Sequence, residues 1–120
     1  MESILISIKK LLGITEEYTN FDQDIIIHIN SVLAILAQLG VGPEEGFRIT
    51  GAMEKWNDFI SDGVALDDVK SYVYIKVKLL FDPPLSSAVM ESTNRLVSEL
   101  EWRINVAAES KKPISDTGNS

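Results

Sequence analysis

Residues 78–87 read KLLFDPPLSS, and how this stretch is read decides the fold. An apolar run stops on Asp-Pro-Pro, and a second one begins just beyond Ser-Ser. Adjacent prolines cannot sit inside a helix, because each lacks the N–H donor and its ring clashes with the preceding turn. Phe81 and Asp82 are therefore expected to be pushed towards extended backbone. The three residues Asp82, Pro83 and Pro84 therefore form an elbow if both flanking segments are helical, and the flanks fold back on each other as an αα-hairpin.

The downstream flank is the clearest helix in the chain. Ser86 or Ser87 supplies a cap, and the helix runs to about Ala108. Met90, Val97 and Ile104 recur every seven residues, as do Thr93, Leu100 and Ala107, an a/d seam over about three heptads. At ~1.5 Å per residue such a helix is over ~30 Å long. The upstream flank, Leu66 to Phe81, admits two readings. Val73, Ile75, Val77 and Leu79 alternate with Tyr72, Tyr74, Lys76 and Lys78, which is a strand pattern. Leu66, Val69, Val73, Val77 and Leu80 also make a helical stripe, and it is longer than the alternating section. Asp67 and Asp68 stand where a first helical turn favours acids. Helix is the favoured reading.

Further upstream, Ile4, Leu5, Ile8, Leu11 and Leu12 have helical spacing within residues 2–12, and Gly13 is the stop. After the loop ITEEYTNFD, Asn20 or Asp22 is expected to cap a second helix that reaches about Leu39. Its stripe is Ile25, Ile29, Val32, Leu33, Leu36 and Leu39, and Ile26, Ile27 and Ile35 widen it towards burial on more than one side. A short helix is expected within residues 51–60, using Met53, Trp56, Phe59 and Ile60, with Ser61-Asp62-Gly63 ending it. Residues 110–120 are polar and read as a flexible tail, leaving residues 1–109 as one domain. The expected fold class is all-α, a bundle of about four to five helices with a long C-terminal hairpin broken at Asp82-Pro83-Pro84.

Chemistry-bearing constellations are scarce. The chain has no cysteine and one histidine, so there is no thiolate zinc site and no Cys nucleophile. His28 lies among isoleucines and reads as a partly buried, hydrogen-bonded histidine rather than a ligand. The doublets Glu16-Glu17, Glu44-Glu45 and Asp67-Asp68 lack the separated environments that an acid/base pair needs. The loop Gly40–Gly46 lacks phosphate-loop spacing and carries two repelling glutamates, so it reads as a helix stop and turn. No catalytic residue, cofactor or metal is expected. The formal charge of −7 argues against a general nucleic-acid binder, which needs a basic footprint. No apolar run approaches the ~18 residues of a spanning helix, and Lys9-Lys10 follow the apolar N-terminal residues, the reverse of a secretory signal. Trp56 and Trp102 are core or interface anchors, and with Arg103 they are the candidate interface residues.

The series YVYIKVKLLFDPPLSSAVMESTNRLVSELEWRINV (72–106) resembles the C-terminal half of small head-to-tail connector proteins of long-tailed bacteriophages and prophages. Its landmarks are Leu79-Leu80-Phe81-Asp82-Pro83-Pro84, the restart at Ser86-Ser87, and Glu99 to Val106. The stretch IHINSVLAILAQLGVGPEEGFRITG (27–51), with Trp56 and Phe59, is similar to the same family, and the resemblance covers about residues 3–109. It implies a mostly helical virion protein without enzymatic activity, and it favours helix for residues 66–81. It also implies a homo-oligomeric ring of about a dozen copies at the head–tail junction, assembled in the bacterial host cytoplasm. The implied partners are the portal protein of the DNA-filled head and a tail-completion or next connector protein. Genomic DNA would pass through the ring without specific binding. A rival reading is an acidic, DNA-mimicking inhibitor of a host nucleic-acid enzyme, with its acids clustered on one face. Another is a carboxylate-metal helical enzyme, which needs inward acids at i, i+3 spacing.

Overall fold

Every regular element in the computed structural model, which describes residues 2–61 and 66–110, is a helix. The elements are α1 (Ile4–Leu11), α2 (Asp22–Gln38), α3 (Trp56–Phe59), α4 (Leu66–Phe81) and α5 (Ser87–Ser110). Helix α4 is central, packing against α1, α2 and α5. It buries Val69, Tyr72, Val73 and Val77. That position explains why its sequence admits a strand reading. A helix touched on several sides carries apolar residues beyond a single stripe, and here Ile75 and Leu79 are half-buried at the margins.

The chain turns between α4 and α5 at Asp82–Ser86. Phe81, expected to be extended, is instead the last residue of α4, since only Asp82 directly precedes a proline. The last helical bond reaches Asp82, whose N–H donates to the Lys78 carbonyl at 2.8 Å. The prolines then end the register, and Ser86 restarts it by accepting a bond from the Val89 N–H at 3.3 Å. The two helices fold back as an αα-hairpin, with Asp68 of α4 opposite Arg103 of α5 at 3.8 Å.

The seam on α5 is only half-used as core. Val97, Leu100, Ile104 and Ala108 are buried, whereas Met90 and Thr93 are half-buried. Ala108 replaces the expected Ala107 because an α-helix drifts from a strict seven-residue repeat. No residue from Ser87 to Leu96 is buried, so about 15 Å of helix stands beyond the core. Leu80, expected on the α4 stripe, is 52% exposed at this same end.

Helix α2 buries Ile25, Ile26, Ile29, Val32, Leu33 and Leu36. Ile35 is half-buried, but Ile27 is exposed, so the arc is narrower than its isoleucine content suggests. Neither expected cap operates. The Phe21 backbone takes the N-cap position without a side-chain bond, Asp22 is the first helical residue, and Asn20 donates to the Tyr18 hydroxyl instead.

Between α2 and α3 the chain is pinned as an irregular strap. Asn30 accepts from the Ile49 N–H at 2.8 Å and donates to the Ile49 carbonyl at 3.0 Å. Gly42 sits here at φ +91°, where a Cβ would meet the Phe59 ring at 2.5 Å. Glycine is required on both counts. The Glu54 carboxylate accepts from the Thr50 N–H and hydroxyl. Partial burial would raise its pKa, but these bonds and those from the Glu54 and Gly51 backbones hold it below the ordinary value.

Helix α3 has one turn, held by the Lys55 N–H donating to Asp58 at 2.9 Å. Met53, expected on its apolar side, lies before it and is 84% exposed. Of the expected stop Ser61-Asp62-Gly63, only Ser61 is among the described residues. Ser110 closes α5, and the rest of the expected 110–120 tail lies outside them.

At the N-terminus, Ser3 and Lys55 form an antiparallel bridge, and the Ile4 N–H donates to the Glu54 carbonyl at 3.0 Å. Lys9 of α1 is 1% exposed. Its Nζ reaches Asp22 at 2.8 Å and donates to the Glu16 and Tyr18 carbonyls at 3.1 and 2.8 Å. Two of the three ammonium donors are thereby hydrogen-bonded, while the contact to Asp22 Oδ1 is one of charge without hydrogen-bond geometry.

Candidate functional site

The hairpin tip leaves a cluster of apolar side chains uncovered. On one side, α4 contributes Ile75 and Leu79, the elbow contributes Pro83, Pro84 and Leu85, and α5 contributes Val89 and Leu96. Together they line an apolar groove of about 370 Å³. Leu85 is fully exposed, and Val89 and Leu96 are about half-exposed. Lys78 and Asp82 face each other at the lip, 3.6 Å apart, a solvated pair worth little to stability.

The predicted residues separate into three places. Asp82, Pro83 and Pro84 are in the groove wall. Trp102 and Arg103 are on α5 outside it, Trp102 69% exposed and Arg103 bound to Glu99 and facing Asp68. Trp56 lies in the core of the subunit. It is fully buried, donates from Nε1 to the Ser7 hydroxyl at 2.8 Å, and lies under the Lys70 ammonium. The short helix α3 turns it inward against α1.

Reasoning from sequence missed Leu85, Val89 and Leu96. Leu85 did carry a signal, being a large apolar residue in a turn that belongs to neither helical stripe. Lys9 was missed as well, although it continues the apolar line of Leu5, Ile8 and Leu12.

Tyr72 and Glu101 clasp the hairpin at mid-height, the hydroxyl donating to the carboxylate at 2.7 Å. Tyr72 is fully buried. Burial first, then the bond and charge of Glu101, push its pKa well above the ordinary value. A group raised in the folded state stabilises fully below its unfolded pKa and loses that contribution as pH rises. The window therefore opens near pH 10, where an unfolded tyrosine ionises. Stability should fall by about 1 kcal/mol by pH 11 from this group alone. Denaturant titrations at pH 8 and pH 11 should show that decrement in the parent and not in Tyr72→Phe. Equal decrements in both would refute the assignment.

His28 is half-buried, and among the described residues it makes no hydrogen bond, contrary to expectation. Glu16, Glu17, Glu44, Glu45 and Asp67 are exposed. Among the described residues no three His, Cys, Asp or Glu side chains converge as metal ligands, and no helix is long and apolar enough to cross a membrane.

A family model described as phage connector protein matches residues 4–111. The chain belongs to the phage connector family. No curated protein and no solved structure matches it. The match spans the whole helical core and both arms of the hairpin, so the elbow, the groove and Trp102 all lie inside the connector unit. The expected helix at 66–81 and the all-α bundle are both observed in this connector chain.

Proposed function

We propose that the chain is a structural subunit of the phage virion, forming a ring that joins the portal of the DNA-filled head to the tail. The family match over residues 4–111 carries this reading. The fold supports it in kind: α5 projects about 15 Å beyond the core, bearing apolar side chains that stay exposed among the described residues. Such surface suits burial against copies of the chain, the portal, and a tail-completion or next connector protein.

The role is assembly rather than catalysis, and genomic DNA passes without specific binding. A net charge of −7 gives phosphates few cations to hold, so DNA in a ring lumen slides rather than sticks. The DNA-mimic alternative would need acids gathered on one face. Here Glu16-Glu17, Glu44-Glu45 and Asp67-Asp68 sit in two loops and at one helix start.

Deleting the gene should yield DNA-filled or leaking heads and separate tails, and adding purified protein should restore joining. Mass measurement of the protein alone and with portal should show the ring forming more readily on the portal. Normal virions after deletion, or tight binding of duplex DNA at physiological salt, would overturn the reading.

A further inference from the structure

The groove at the hairpin tip and the ridge made by Trp102 and Val106 are the two large apolar features that α5 leaves uncovered. Leu85 is fully exposed, Trp102 is 69% exposed, and Val89, Leu96 and Val106 are each near half. On a helix of 3.6 residues per turn, Trp102 lies about 120° around the axis from Leu96. The groove and the ridge therefore face different directions. We infer that they are the two halves of one contact between copies of this chain, with the Trp102–Val106 ridge of one subunit seated in the Ile75–Leu79–Leu85–Val89–Leu96 groove of the next.

Three observations favour a second copy as the occupant. The first is direction. A patch and its acceptor on different faces of one molecule pair head to tail, and such contacts repeat until they close a ring or run on as a filament. A dimer built on a two-fold axis would need one self-complementary patch instead. The second is charge. A subunit carrying −7 repels its copies in general, yet both surfaces are locally mixed. The groove lip holds Lys78 with Asp82, and the ridge is bordered by Glu99 with Arg103. Like charges need not meet there.

The third is area. One ridge in one groove covers on the order of 600 Å² of apolar surface. With a polar rim of ordinary proportion this is about 1,000 Å² in total, at the low end of specific interfaces. A single contact is then weak, whereas each subunit in a closed ring makes two.

The inference rests on the ring reading above, and the test separates the two. The parent has no cysteine, so Val89→Cys and Val106→Cys can be combined in one chain and oxidised in assembled particles. A ladder of disulfide-linked oligomers is expected from the double variant, with neither single variant cross-linking. Linked pairs from a single variant would show a two-fold contact and overturn the pairing. So would cross-links from Val89→Cys to a different virion protein, or to another site of the chain. Wild-type protein that restores head–tail joining while the double variant gives no ladder would remove the pairing and leave the ring reading intact. A ladder from concentrated purified protein, beside normal virions after gene deletion, would do the reverse. As an independent readout, Trp102→Ala should raise the concentration at which the purified protein self-associates at least tenfold, with unchanged helicity and thermal stability. An unchanged association curve would sink the inference.

Discussion

Replacing Pro83 and Pro84 together by alanine is expected to turn a hairpin closed within one chain into an exchange-prone one and to abolish particle joining. The expectation follows from two opposing terms. Each proline disfavours a helix interior by about 3 kcal/mol, so the pair holds roughly 6 kcal/mol against a continuous α4–α5 rod. Straightening also exposes Val97, Leu100 and Ile104, at about 1.5–3 kcal/mol for each large side chain. In the parent both terms favour the bend. In the double variant only burial does, and burial is recovered whenever the straightened α5 packs on α4 of another copy. Helix register arrives intact at Asp82, which still donates to Lys78 at 2.8 Å, so nothing but the prolines stops propagation. A swapped dimer should therefore appear in mass measurements at concentrations where the parent shows none. Helicity should rise slightly as residues 82–86 join the rod, and the melting temperature of the monomer should drop. Unchanged mass, stability and joining would show that the angle is set elsewhere.

How far the fold was legible depended on how many neighbours each segment had. The Asp-Pro-Pro break could be read directly, because one covalent constraint decides it, whereas the α1 stripe was right at Ile4, Leu5 and Ile8 but not at Leu11, which is 54% exposed near the helix end. Helix α4 was ambiguous for a physical reason: a central helix needs apolar residues on several sides, and Ile75 and Leu79 complete an alternation by serving those margins. The opposite failure occurred on α5. Its heptads continue through Met90 and Thr93, but only the end of α4 reaches that far, so the same pattern describes packed seam at one end and half-covered surface at the other. Periodicity reports which residues share a face and not what covers that face. The groove was invisible for the same reason, since it exists only where the end of α4 and the start of α5 run alongside each other. Trp56 and Trp102 could not be told apart until α3 turned one inward.

Polar contacts within the core were the least legible, and Lys9 shows why. In the sequence it is one half of a Lys9-Lys10 pair next to a helix end, the kind of site where cations face solvent and complement the helix dipole. Lys10 is exposed as that reading implies, while Lys9 is 1% exposed. What rescues a buried ammonium lies seven to thirteen residues away: two carbonyl acceptors in a loop of no regular pattern, Glu16 O and Tyr18 O, and the charge of the Asp22 carboxylate at the start of α2. The contact links α1, the loop and the first turn of α2, so it fixes where α2 begins in the absence of a side-chain cap. Removing one partner of such a pair costs more than the pair contributes, because the other charge is left behind. Lys9→Ala should therefore lower unfolding free energy by about 3–5 kcal/mol, a large part of the total for a domain of this size. The lower half of that range is expected, since the Asp22 side chain retains 22% exposure and can take up water. Lys9→Met keeps the apolar stem and should recover part of the loss, and combining it with Asp22→Asn should recover more. Raising salt from 0.1 to 1 M should leave the Lys9→Ala decrement nearly unchanged, because a pair out of water is poorly screened. Denaturant unfolding of these variants measures each term. A Lys9→Ala decrement under 1 kcal/mol, or one that vanishes in salt, would mean that the ammonium is solvated and that the start of α2 is fixed by packing alone.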